Sequence, residues 1–213
     1  MEDVAGLTRM LSASTTLRVF RNLLLLVVSA TAGLAPAASA QALSVQLDPA
    51  QTKIEFALGA TLHSVHGSFR LRNGAIRFDP TTGTVSGAIV IDATSGESGN
   101  DGRDKRMHRE ILESDKFPEI IFTPKQIRGA LAADGPSKLE VTGQIRLHGQ
   151  DHDITLPVEA VSGGGKLQLT AQTVIPYVLW GLKNPSTFIL RVSDKVTIDI
   201  RATARVSSEG TPR

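Results

Sequence analysis

LEVTGQIRLHGQDHDITLPV, residues 139–158, alternates. Leu139, Val141, Ile145 and Leu147 share one period-two face with Gly143 between them, Gly149-Gln150-Asp151 supplies turn chemistry, and Ile154, Leu156 and Val158 resume the alternation. Residues two apart in a strand point to the same side, so each half has one apolar face and one mixed face. The segment reads as two strands joined by a tight turn. The same period recurs along the chain. Ile54, Phe56 and Leu58 alternate with Lys53 and Glu55, and Val65, Phe69 and Leu71 share a face with Gly67, opposite His66, Ser68, Arg70 and Arg72. Ile76 and Phe78, then Val85, Ile89 and Ile91, then Leu167 and Leu169, and last Val196, Ile198, Ile200, Ala202 and Ala204 repeat it.

Turn signals separate these runs at hairpin-like spacing. Asn73-Gly74 is the strongest two-residue hairpin signal, and Asp79-Pro80, Thr82-Gly83 and Gly163-Gly164-Gly165 mark further turns. About eight strands so spaced predict an all-β fold, an antiparallel barrel or sandwich. A long meander that must hide its edges favours closure into a barrel. One stretch breaks the pattern: RDKRMHREILES, residues 103–114, is rich in helix formers and places Met107 and Ile111 four apart with Leu112 beside them. Asn100 or Asp101 can cap its start, and Phe117-Pro118 stops it, so one short helix is inserted in the meander.

The first forty residues read differently. Arg18 and Arg21 precede the apolar run Leu23–Val28, and small residues lead to Ala38-Ser39-Ala40. That is the three-part layout of a secretory signal over residues 1–40, with cleavage after Ala40 and export to the periplasm, or secretion where there is no outer membrane. Met10 serves as well as Met1 for its start. The run Leu23–Ala35 is broken by Ser29, Thr31 and Gly33 and falls short of the ~18 apolar residues a membrane span requires. The globular domain is then 41–206, and the polar tail 207–213 reads as disordered.

Composition removes whole classes of function. The 213 residues include no cysteine, which leaves no disulfide framework, thiolate metal site, cysteine nucleophile or lipid-modified cysteine anchor. A net charge of +2 does not suit a dedicated nucleic-acid binder. G-x-S-x-G, H-E-x-x-H and the P-loop are absent, and carboxylate pairs such as Asp151 with Asp153 sit in turn contexts, so the chain does not read as an enzyme. His63 and His66 are three apart in strand-like sequence and face opposite ways, while His148 and His152 flank a hairpin tip where they can meet. No third ligand is fixed near either pair, so neither a metal nor another cofactor is expected. The charge run around Arg103, Arg106, His108 and Arg109 is either a solvated helix face or a basic patch at a barrel mouth. Met107 is either a soft residue facing an apolar cavity or the contact that seats the helix. Trp180, the only tryptophan, and Phe188 read as core packing or as cavity lining.

Three stretches together resemble the YceI-like family of exported lipid- and polyisoprenoid-binding proteins. They are IEFALGATLHSVHGSFRLRNGAIRFDP (54–80), GRDKRMHREILESDKFPEIIFTP (102–124) and LEVTGQIRLHGQDHDITLPV (139–158). The motif positions are His63 with Gly67-x-Phe69, Arg103-Asp104, His108 and Phe117-Pro118-x-Ile120-x-Phe122. The resemblance implies an eight-stranded antiparallel, lipocalin-like barrel with a helical insertion around a long apolar pocket. It also implies a noncovalently held isoprenoid-type lipid, a prenyl quinone or a prenyl phosphate, carried or buffered with at most transient membrane contact. Ligand contacts are expected from His63, Phe69, Arg103, Met107, His108, Phe122 and Trp180, with Arg103, His63 and His108 near one mouth. A filled barrel acting as a structural or protein-interaction module is the second reading.

Overall fold

The computed structural model describes residues 41–61 and 63–208; the 1–40 segment read as a signal lies outside them. The strands are β1 (Leu43–Leu47), β2 (Lys53–Gly59), β3 (Ser64–Phe78), β4 (Val85–Glu97), β5 (Glu119–Arg128), β6 (Gly135–Leu147), β7 (Gln150–Gly163), β8 (Lys166–Ile175) and β9 (Val196–Ser208). Every pairing is antiparallel, and β9 returns to β2, so the sheet closes. β1 and β2 are two halves of one stave, because both run between β3 and β9. The break is a 3-10 turn at Pro49–Gln51, capped by the Asp48 carboxylate, which accepts from the Ala50 amide at 3.0 Å and from Gln51 at 2.7 Å. The result is a closed eight-stave antiparallel barrel, the architecture the alternation and the resemblance imply. Closure gives every stave a hydrogen-bonded neighbour on both sides.

The hairpin of residues 139–158 forms in register: Leu139, Val141 and Gly143 stand opposite Val158, Leu156 and Ile154. Its turn lies one residue earlier than the glycine suggested. His148 (φ 51°) and Gly149 (φ 76°) form the loop, and Gln150 already pairs with Leu147. Two successive positive φ values give the twist that matches a hairpin. The Asp79–Gly83 and Gly163–Gly165 turns also form as expected.

Asn73-Gly74 does not turn. It lies inside the unbroken β3, just after a register shift between Leu71 and Asn73 against β4, and neither residue takes the positive φ of such a turn. Pairing with β1 on one side and β4 on the other outweighs the local preference. The glycine is required for a different reason: a Cβ on Gly74 would lie 2.4 Å from Leu47 Cδ1. At the other end of the chain, β9 runs to Ser208, two residues into the expected tail, because Ser207 and Ser208 pair with Ser44 and Leu43.

The helical insertion runs over 101–112 rather than 103–114. The Asn100 side chain accepts from the Arg103 amide at 3.0 Å to start α1 (Asp101–Arg106), which continues as a π-helical turn, Met107–Leu112. Glu113, at φ 46°, ends it.

Alternating strand direction sends the connections to two ends. The β3–β4, β5–β6 and β7–β8 turns form one end; Ala60, Thr61 and His63 after β2, the helix, the His148–Gly149 turn and the long 176–195 connection form the other, here called the upper end. Phe78, Val85, Phe122, Ile127, Val141 and Leu156 form one buried cluster, and Ala93, Ile120, Leu147, Ile175, Tyr177 and Leu182 form another beneath the helix and the 176–195 connection.

Candidate functional site

Side chains do not fill the barrel. The inward faces enclose a cavity of about 720 Å³, to which Ile54, Phe69, Ile89, Phe122, Leu169 and Ile200 contribute from six different strands. That volume lies within the range of small-molecule sites. Polar groups gather where the helix begins: Ser98, Asn100, Arg103 and Arg106 border the cavity there, with His63 on the neighbouring hairpin. The other upper wall is apolar and comes from Pro185, Leu190 and Val192.

Met107, Ile111 and Leu112 present the inner face of the helix to the cavity. Gly96 makes this possible. A Cβ there would lie 2.6 Å from the Phe69 ring and 2.9 Å from Met107 Cε, so only glycine lets both side chains close over β4. The Phe69 ring also packs on Phe56, with centroids 5.5 Å apart.

The charges above the cavity are largely paired. Arg103 donates to the Ser98 hydroxyl at 2.6 Å and to its carbonyl at 2.7 Å, while Arg106 bonds Glu110 at 3.2 Å. Asp104 accepts from the Ser98 hydroxyl and, at 3.0 Å, from its amide. Partial burial pushes the Asp104 carboxyl up, but the Ser98 bonds and nearby Arg103 more than offset this and leave it below the usual aspartate range. The Tyr177 phenol is pushed up to about 12 by burial and donates to the Ser193 carbonyl at 2.6 Å, so it stays neutral and tethers the long connection.

Five of the seven expected ligand-contact residues border the cavity: His63, Phe69, Arg103, Met107 and Phe122. His108 and Trp180 do not. His108 points away from the cavity, its Nε2 donating to the Gly96 carbonyl at 2.8 Å and its Nδ1 lying 3.0 Å from the buried Ser114 hydroxyl. One position on from the inward-facing Met107, it clamps the helix to β4 through Gly96. Trp180 stacks flat on His152, centroids 4.2 Å apart and planes 3° from parallel, against the upper core cluster. His148 and His152 therefore do not meet. Phe188 is neither core nor lining, being 100% exposed.

Sequence reasoning missed Ser98, Asn100 and the lining from Leu182 to Val192. No period marks that connection; the only signal was an apolar excess in a segment full of turn residues.

A second anchor holds the far end of the insertion. The Glu113 carboxylate accepts from Lys116 and lies against His148 Nε2, both at 2.7 Å, and the Phe117 ring packs at a tilt against the His148 ring, centroids 4.4 Å apart. The hydrogen bonds from Lys116 and His148 hold Glu113 below the usual glutamate range. A lowered carboxyl pKa stabilises the fold above its unfolded-state value, and that contribution is lost as pH falls through the lower folded value. Hydrogen-exchange protection at amides 113–117 should therefore fall in acid, below the ordinary glutamate range. In Glu113→Gln it should be lower at neutral pH and insensitive to acid. Identical profiles for the two proteins would remove the anchor.

A closed antiparallel barrel enclosing an apolar cavity, with polar groups at a helix-covered end, is a small-molecule-binding architecture. The YceI-like domain profile matches residues 45–204, and the chain belongs to that family. A UPF0312 protein of Vibrio parahaemolyticus is 30% identical over 102 residues, 47% of this chain and 52% of the relative; one of Vibrio cholerae is 26% identical over the same length. The chain thus spans about half the length of the curated relatives it matches. Among solved structures, Burkholderia cenocepacia BcnA superposes with a TM-score of 0.61 at 19% identity, covering 74% of this chain and 98% of that one. A polyisoprenoid binding domain from Saccharophagus degradans, implicated in plant cell wall breakdown, gives a TM-score of 0.57 at 17% identity, covering 76% and 98%. At these identities the likeness is one of fold.

Proposed function

We propose that this protein binds an isoprenoid-type lipid, a prenyl quinone or prenyl phosphate, in the barrel cavity and carries or buffers it in the periplasm without any covalent step. The observation that carries the reading is the largely apolar 720 Å³ cavity with both of its arginines, Arg103 and Arg106, where the helix begins, a layout suited to an apolar tail and a single head group. The family membership and the polyisoprenoid-binding character of the Saccharophagus degradans domain support it. Burial at ~0.8 kcal/mol per methylene gives a five-carbon unit about 3–4 kcal/mol gross. Three or four units would then exceed the cost of association, so tail length alone does not select among prenyl lipids. Selection falls to the head-group end. There, Arg103 and Asn100 border the site, and His63 has no hydrogen-bond partner among the described residues.

Extraction of the purified protein into organic solvent, followed by mass spectrometry, tests this. The expected result is close to one prenyl lipid per chain, absent from a mock purification. Protein that emerges empty and also refuses added ubiquinone and undecaprenyl phosphate would remove the carrier reading and return the barrel to a role in protein interaction.

A further inference from the structure

The connection between β8 and β9 carries a feature that lipid storage does not use. Phe188 is 100% exposed, Ile189 89% and Leu190 38%, three consecutive apolar side chains facing solvent. Such a run is unfavourable on a soluble surface unless something covers it.

The tip is held in this state. The Thr187 amide donates to the Leu190 carbonyl at 2.8 Å and the Leu190 amide to the Thr187 hydroxyl at 3.0 Å, closing a turn with Phe188 and Ile189 at its apex. Below it, Thr61 and Arg191 exchange two bonds of 3.0 Å, Ala60 bridges Val192, and the Ser186 hydroxyl accepts from the Val192 amide at 2.8 Å. These bonds fasten the connection to the end of the β2–β3 hairpin, beside His63.

We infer that this turn docks the open end of the barrel on a lipid bilayer with anionic head groups, Phe188 and Ile189 entering the interface. Three observations favour a bilayer. Leu190, Pro185 and Val192 of the same segment line the cavity, so the tip and the cavity wall form a continuous apolar surface. Lys183, Arg191 and Lys195, all within seven residues of Phe188, are exposed and make no ion pair among the described residues, and Asp194 is the one carboxylate in the stretch 183–195. Cations flanking an apolar tip match an anionic membrane surface. A protruding apex of two side chains is also far smaller than the roughly 800 Å² per partner of a stable protein interface. The docking stands on exposure and charge; its purpose, to let a lipid pass between bilayer and cavity without crossing water, rests on the carrier reading.

The test uses protein purified from expression of the full chain and sucrose-loaded vesicles of phosphatidylethanolamine and phosphatidylglycerol, or of phosphatidylcholine alone. Wild type should sediment with the anionic vesicles, less so with neutral ones or at high salt. The partition of Phe188→Ser/Ile189→Ser should fall about tenfold or more, since two large apolar side chains leave the interface. In a Phe188→Trp variant, brominated lipid chains should quench the added fluorescence. Equal partition of wild type and the double variant, or no quenching, overturns the proposal. So does a wild-type dimer in light scattering that the double variant abolishes, which would make the tip a contact with a second copy. Ubiquinone loading separates this from the carrier reading. Loading from vesicles should slow about tenfold in the double variant while loading from detergent micelles is unchanged. Wild type that sediments with vesicles but takes up neither ubiquinone nor undecaprenyl phosphate from either source keeps the docking and removes the carrier.

Discussion

Tryptophan at both Ile89 and Leu169 should leave the barrel folded and empty of lipid. Ile89 on β4 and Leu169 on β8 both line the cavity, and four steps around the barrel place them on opposite walls. Both are only partly buried: each packs against a buried cluster and also borders the cavity. Larger side chains there enter existing space, so the overpacking cost of a filled core is largely avoided. Extracted lipid should drop from near one per chain to below about one in ten, because the two indoles cross the path that any long tail must take. Far-UV circular dichroism should match wild type. Retained stoichiometric lipid with an intact fold would place the ligand outside the barrel.

Phe122→Ala should produce the opposite signature, a large loss of stability. The Phe122 ring belongs to the cluster of Phe78, Val85, Ile127, Val141 and Leu156 and is only 7% exposed. It lies over Gly143, where a Cβ would come 2.9 Å from Phe122 Cε2. Truncating a buried phenylalanine costs about 3–5 kcal/mol. At about 2–4 °C per kcal/mol for a chain of this size, calorimetry on delipidated protein should show Tm lower by roughly 10 °C. A fall of only a degree or two would mean that this end of the barrel is not packed as described. Delipidation matters because a bound ligand raises the apparent stability of both proteins.

The two substitutions test two properties of one inward face. Phe78, Phe122 and Val141 are buried in one cluster and also border the cavity. Ile89, Leu169 and Ile200 pack against buried clusters, border the same cavity and are only partly buried. Period-two alternation assigns both groups to the interior and cannot distinguish them, because whether opposite walls touch depends on barrel diameter. The error at Asn73-Gly74 has a similar origin. A two-residue turn preference is local, whereas β3 gains pairing from β1 and β4 at once. The His148–Gly149 turn formed because no third strand competes for it.

At the candidate site, alternation points to Phe69 and the apolar helix face to Met107, while Phe122, His63 and Arg103 come from the resemblance; all five border the cavity. The expectation for His108 rested on the resemblance and the charge run rather than on a period, and its ring instead meets Gly96 and Ser114 while Met107 beside it faces the cavity. Trp180, Pro185 and Leu190 sit in a connection with no period, where position follows from bonds between residues far apart, such as Thr61 with Arg191.

Strand number, inward faces, the helical insertion and its cap are written in the order of residues, because each depends on neighbours within a few positions. Cavity size, the outward turn of His108 and the exposed apex at Phe188 and Ile189 depend on walls and loops meeting across the barrel. Those meetings exist only once β9 has closed on β2.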